Sequence, residues 1–226
     1  MDRPVTQATI DFADARKKMV DGQIRPNRVN DPAILAAMGS LPRERFLPPA
    51  LAARAYTDEN VPLGNGRYLA EPRAIAKLVQ LVAPLSSRRI LLVGAGTGYT
   101  AALLAACGAA VTALEEDAAL LATARPLLAT LAPSVTVAQG KLAAGWAAGA
   151  PYDVILVEGA MQDIPQTVTA QLRPGTGRLI GVRAGRGLAS QAIIAEMTQA
   201  GLTIQDVFDC AMPVLPAFRA EPGFVF

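Results

Sequence analysis

The chain contains no histidine. That excludes Ser-His-Asp and Cys-His nucleophile pairs, His-ligated metals and imidazole pH switches, and much of hydrolase chemistry with them. Cysteine is nearly absent too. Cys107 and Cys210 are too few for a zinc knuckle or a disulfide framework, so both read as core packing in a reducing, cytoplasmic compartment, and no metal is expected. Charge is sparse, with charged residues 18% of the chain and 21 basic against 19 acidic side chains. The basic residues are scattered, and their densest groups, Arg16-Lys17-Lys18 and Arg43-Glu44-Arg45, read as solvated helix faces. No nucleic-acid partner is expected. The start, Met1-Asp2-Arg3-Pro4, leads into polar residues without an apolar run and small-residue cleavage site, which predicts no signal peptide.

Apolar residues are plentiful instead, at 52% of the 226 and with a mean hydropathy of +0.31. A chain of this size and composition buries a large core and is not disordered; its length suits one main α/β core plus an appended piece. The uncharged stretch Ile90 to Leu114 is long enough to span a bilayer by count. Gly94, Gly96, Gly98 and Gly108 divide it into a β-rich run, a turn, an alanine-rich helix and a second β-like run, so no membrane partner is expected.

The first third reads as helices joined by proline-rich turns. Phe12, Ala15, Met19 and Val20 fall at helical spacing, and Asp31-Pro32 caps a helix carrying Ile34, Leu35, Met38 and Leu41. Arg73 to Val82 repeats the pattern after Pro62 to Pro72, which reads as a loop. From Arg89 the pattern becomes strand and helix in alternation, the signature of a parallel sheet with crossover helices. Strands are predicted at Arg89 to Val93, Ala110 to Leu114, Val135 to Ala138, Asp153 to Val157 and Arg178 to Val182. Helices are predicted at Tyr99 to Cys107, Ala118 to about Leu131 and Ile164 to Leu172, the second kinked or stopped at Pro126. After the turn Gly185-Arg186-Gly187, the runs Leu188 to Met197 and Leu202 to Met212 are expected as antiparallel edge strands. The expected fold is a doubly wound, mostly parallel, seven-stranded sheet, with residues 1–86 as a helical cap and substrate-side loop and 87–226 as the core.

Val93-Gly94-Ala95-Gly96-Thr97-Gly98 lies between a predicted strand and a helix, where glycine lets a ligand approach the backbone and the helix start offers free N–H groups. The spacing is G-x-G-x-G, not that of dinucleotide folds, which disfavours a nicotinamide-dependent dehydrogenase. Glu115 follows the second strand, where a carboxylate can accept from both hydroxyls of a ribose. Glu115-Glu116-Asp117 also suits the acidic first turn of the next helix.

Leu41-Pro42-Arg43-Glu44-Arg45-Phe46, Pro62-Leu63-Gly64-Asn65-Gly66, Glu71-Pro72, the glycine loop ending Gly98-Tyr99, and Ala150-Pro151-Tyr152-Asp153 occur in this order over nearly the whole chain. Together they resemble the protein-L-isoaspartate O-methyltransferases, class I enzymes dependent on S-adenosylmethionine and yielding S-adenosylhomocysteine. The resemblance implies a Rossmann-like core with a helical addition and an acceptor carboxylate on a protein or peptide carrying isoaspartate, or an altered small acceptor. It implies cofactor contacts at Gly94, Ala95, Gly96, Gly98, Tyr99, Glu115, Lys141 and Leu142. It also implies an acceptor site at Ala70 and Glu158, bordered by Leu63, Gly64, Arg73 and Pro213.

Three positions depart from the family. Ala70 stands where the family has a serine at the reaction centre, Leu92 replaces an acid two positions before the first loop glycine, and Lys141 replaces an acid that accepts from adenine. Lys141 cannot accept a hydrogen bond. Each lost charge-assisted bond is worth roughly 1.5–3 kcal/mol. The departures predict weakened cofactor binding and low isoaspartyl methylation; the alternative is a catalytically impaired binding or scaffold protein. Glu158 is expected near the transferred methyl, where it would repel a carboxylate; its competing reading is a helix-capping or salt-bridged glutamate before Ile164. A carboxylate nucleophile needs no general base, which suits a chain without histidine.

Overall fold

The computed structural model describes residues 10–185, 189–198 and 201–219. The expected start of the chain, the centre of the Gly185-Arg186-Gly187 turn and Leu188 lie outside them. Three helices open the described chain: α1 (Phe12–Met19), α2 (Pro32–Ser40) and, after a hairpin, α3 (Pro72–Val82). Asp11 and Asp31 cap the first two, each carboxylate accepting from backbone N–H groups of the first turn.

Pro62 to Pro72 is not all loop. Val61–Gly64 (β1) and Arg67–Leu69 (β2) pair antiparallel, Val61 with Leu69 and Pro62 with Tyr68. The turn is possible because Gly64, Asn65 and Gly66 all take positive φ, which glycine and asparagine adopt at least cost.

Seven further strands, β3 (Arg89–Val93), β4 (Ala110–Glu115), β5 (Thr136–Gln139), β6 (Val154–Met161), β7 (Arg178–Arg183), β8 (Gln191–Thr198) and β9 (Gly201–Asp209), form one sheet in the order β5-β4-β3-β6-β7-β8-β9. The first five are parallel to one another, and β8 and β9 are added antiparallel at the β7 edge. Crossovers run through α4 (Tyr99–Ala106), α5 (Ala118–Leu131) and the short α6 (Gln166–Thr169). Alternation along the strands divides the interior. Ile90, Leu92, Val154 and Leu156 join a core with α3, α4 and the N-terminal helices, whereas Leu91, Val93, Ile155 and Val157 face a second core with Leu142, Val168 and Phe218.

Three expectations need correction. α5 neither stops nor breaks at Pro126, because Leu120, Leu121, Ala124 and Leu128 bury one face on both sides of it. The helix expected from Ile164 to Leu172 shrinks to α6, since Tyr152 and Arg173 draw the following backbone into a bridge at Leu172. β6 runs past Val157 through a register shift between Leu156 and Ala160, where Gly159 has φ +149°. Glu158 therefore sits inside an irregular strand, and the residue capping α6 is Pro165.

Candidate functional site

The carboxyl ends of β3, β4 and β6 meet where the strand order reverses, the position at which doubly wound sheets place ligands. The glycine loop leaves β3 there. Gly94 and Ala95 donate to the Leu114 carbonyl at 3.0 and 3.1 Å, and Gly98, with φ +98°, starts α4. A Cβ at Gly98 would meet the Leu128 side chain at 3.0 Å, so this glycine also serves helix packing. The Thr97 hydroxyl donates to the Phe46 carbonyl at 2.7 Å, tying the N-terminal segment over the loop. Ala95 and Tyr99 are buried beside it.

Glu115 ends β4 and is fully buried. Its Oε2 accepts from the Gly96 amide at 2.7 Å. Its Oε1 accepts from the amides of Glu116 at 2.9 Å and Asp117 at 3.0 Å, and from Arg67 Nη1 at 2.6 Å. Arg67 Nη2 also donates to the Gly94 carbonyl at 2.9 Å. The three adjacent acids divide the tasks that the sequence left open. Glu115 faces the cleft, Glu116 accepts from the Leu142 amide at 3.1 Å, and Asp117 caps α5. Leu142 is buried in the second core and Lys141 is exposed.

On the acceptor side, Ala70, Glu158, Pro213, Met212, Tyr68 and Arg67 help line a cavity of only about 10 Å³. Glu158 is 8% exposed, and burial pushes its carboxyl up to about 7. The Thr100 hydroxyl and the guanidinium groups of Arg67 and Arg43 oppose that shift, yet Glu158 Oε2 is buried without a hydrogen-bond partner among the described residues. Around it Thr100 Oγ1, Tyr99 Oη and Arg43 Nη1 are likewise buried and unpartnered. Arg43 is not a solvated helix residue. It is fully buried, its Nε donates to the Ala55 carbonyl at 2.7 Å, its Nη2 donates to the Ala70 carbonyl, and its guanidinium lies 4.6 Å from the Tyr99 ring centre.

Leu63 and Gly64 belong to the hairpin, with Leu63 Cδ1 3.6 Å from where a Gly96 Cβ would sit. Arg73 does not join Ala70 and Glu158. It pairs with Glu71 at 3.1 Å and lines a neighbouring cavity of about 330 Å³ with Lys77, Phe208 and Cys210. Arg67 was not singled out from the sequence. Its signal is the alternation of β2, in which Arg67 and Leu69 are buried and Tyr68 is exposed.

Residues 14–210 match the family model of protein-L-isoaspartate(D-aspartate) O-methyltransferase. The chain belongs to this family. A relative from Methylorubrum extorquens (strain PA1), protein-L-isoaspartate O-methyltransferase, is 44% identical over 170 residues, 75% of this chain and 74% of that one. The enzyme of the same name from Methanoregula boonei is 39% identical over 183 residues, covering 80% and 84%. Among solved structures, a Plasmodium falciparum chain assigned to the same family, in complex with S-adenosyl-L-homocysteine, superposes with a TM-score of 0.76 at 17% identity, covering 89% of this chain and 98% of that one. These matches carry the enzyme's name, and none supports the impaired scaffold weighed as the alternative.

Proposed function

We propose that the chain transfers the methyl group of S-adenosylmethionine to a carboxylate of protein or peptide substrates carrying isoaspartate. The observation that carries this reading is the pairing of a glycine loop with a buried acid, Glu115, on adjacent strand ends, in a chain that matches the family over residues 14–210. The residues fit a nucleoside bearing two hydroxyls. Gly94 and Gly96 leave their Cα faces free of backbone closer than 3.5 Å, and the neighbours nearer than that are the ends of the Arg67 and Leu215 side chains.

The cofactor supplies the electrophilic methyl. Glu115 would hold the ribose, the loop from Gly94 to Gly98 the methionyl part, and Leu142 with the backbone at Lys141 the adenine surroundings. Ala70 and Pro213 would wall the acceptor pocket and exclude water. An isoaspartyl carboxylate arrives ionised and needs no base. Glu158, with its carboxyl near 7, is largely protonated at slightly acidic pH. In that state it no longer repels the acceptor carboxylate. We place the protein in the cytoplasm, its two cysteines being free and buried; among the described residues no helix is long and apolar enough to cross a membrane.

The test is transfer of labelled methyl from S-adenosylmethionine to an isoaspartyl peptide and to the same peptide with ordinary aspartate. Base-labile label in the first alone is expected. Absence of label in both, or equal label in both, overturns the assignment.

A further inference from the structure

We propose that Arg67 competes with the cofactor for the cofactor's own seat, and so sets its affinity; this rests on the reading of the cleft given above. The pairing of β1 and β2 turns Arg67 inward, and its side chain is 6% exposed against a Glu115 side chain that is fully buried. One guanidinium reaches two acceptors, Glu115 Oε1 at 2.6 Å and the Gly94 carbonyl at 2.9 Å. The cofactor's ribose hydroxyls and its methionyl ammonium are also hydrogen-bond donors. They seek the same kind of acceptor at the same place, and Glu115 Oε1 already receives three donors. Oε2 accepts from the Gly96 amide alone, so the conflict lies at Oε1: a ribose hydroxyl directed at that oxygen and the Arg67 guanidinium exclude one another.

The surroundings say the same. A Cβ at Gly94 would lie 3.2 Å from Arg67 Nη2 and 3.3 Å from Leu215 Cδ1. On the acceptor side of Arg67, the free space it shares with Ala70 and Glu158 is about 10 Å³, room for about one water, so the side chain is packed in from that side as well. Among the described residues the hairpin pairs with no other strand and forms a two-stranded sheet by itself. Its tip is held by Asn65 Nδ2 donating to Asp117 Oδ2 at 2.8 Å. Withdrawal of Arg67 with this hairpin leaves Glu115 held by the amides of Gly96, Glu116 and Asp117, which keeps the acid in place for a ribose. Apparent affinity is the intrinsic value reduced by the fraction of molecules in which Arg67 has withdrawn.

Calorimetric titration of the full chain with S-adenosylhomocysteine tests this in wild type, Arg67→Ala, Arg67→Gln and the double variant Arg67→Ala with Glu115→Ala. Both single variants are expected to bind about tenfold or more tightly than wild type, and the double variant is expected to lose that gain. Thermal melting with and without S-adenosylhomocysteine gives a second readout: the ligand should raise the melting temperature more in Arg67→Ala than in wild type. If Arg67→Ala does not fold, the expectation stands or falls on Arg67→Gln. Equal or weaker binding in the folded variants overturns the role of Arg67 while leaving the cofactor assignment intact. No binding by any variant or by wild type overturns both.

Discussion

Two buried glutamates face the same cleft from strands on either side of β3, and they are treated oppositely. Glu115 accepts from one guanidinium and three backbone amides. Glu158, two strands away across β3, has an oxygen with no partner among the described residues and stands among three other such buried polar atoms. A carboxylate surrounded by donors fixes the backbone around it. One taken out of water without a direct partner is driven toward its neutral form, even with guanidinium groups nearby. The cofactor side is thus pre-satisfied by the protein itself, and the acceptor side is left wanting a partner. Unsatisfied polar groups are costly in a folded interior. Their concentration at one place marks where a ligand can repay the cost.

The comparison breaks first at Glu115. Glu115→Ala strips Arg67 of its counter-charge and three amides of their acceptor, and the expected loss is about 3–5 kcal/mol in urea denaturation without ligand, as for other buried pairs that lose one member. Glu115→Gln keeps an acceptor and should cost clearly less. A loss below about 1 kcal/mol in Glu115→Ala would show that the cleft is not organised around this acid.

Glu158 should behave in the opposite sense. Its folded value, about 7, lies above the ordinary 4.5, so the folded state holds the proton more tightly than the unfolded chain. The stability this contributes is fully present below pH 4.5 and is lost as pH rises to about 7, with a total of about 3 kcal/mol at roughly 1.4 kcal/mol per unit. In Glu158→Gln this contribution to the pH dependence should vanish, and the variant should be more stable than wild type at pH 8. A pH profile of stability identical in the two proteins would remove Glu158 from the account.

Much of this was legible in the sequence, and the omissions have physical causes. The alternation from Arg89 onward announces the sheet because parallel strands buried on both faces leave uninterrupted apolar runs, and the glycine loop with Glu115 stands out by position. The hairpin did not, because its strands are four and three residues long and its Gly64-Asn65-Gly66 turn lies among prolines that read as loop. Arg67 went unnoticed with it. Arg43 looked solvated because its neighbours Glu44 and Arg45 are charged; only the fold brings the carbonyls of Ala55 and Ala70 to its guanidinium. Glu158 was placed at a strand end because the irregularity that continues β6 depends on pairing with β7, which no local pattern reports.

A smaller effect tests the acceptor side by chemistry. Ala70→Ser combined with Glu158→Ala returns a hydroxyl and removes a potential charge, and methyl incorporation into an isoaspartyl peptide at saturating cofactor should rise, by at most about a hundredfold. Strong turnover by the wild type, unimproved in the double variant, would mean that Ala70 and Glu158 already form a competent acceptor site. Lower turnover in the double variant would mean that neutral Glu158 holds the acceptor, and Glu158→Gln should then retain what Glu158→Ala loses.

The smallest effect sits at the hairpin tip, where the saturation of the cofactor side reaches the surface. Asn65 has φ +51°, a conformation glycine also adopts without strain, so Asn65→Gly removes the amide and leaves the backbone as it is. The Asn65 amide is the foremost influence holding the Asp117 carboxyl below its ordinary value, with the Leu120 and Ala119 amides assisting. In Asn65→Gly that carboxyl should titrate at higher pH, measurable by carbon NMR of the side chain. The stability that its depressed value provides is present above the unfolded value and is lost as pH falls through the folded one, so the variant should lose stability slightly earlier on acidification. At neutral pH the cost should be small, about 0.5–1 kcal/mol for an exposed bond. An Asp117 titration unchanged by the substitution would mean that the hairpin is not fastened there, and that Arg67 alone closes the cleft.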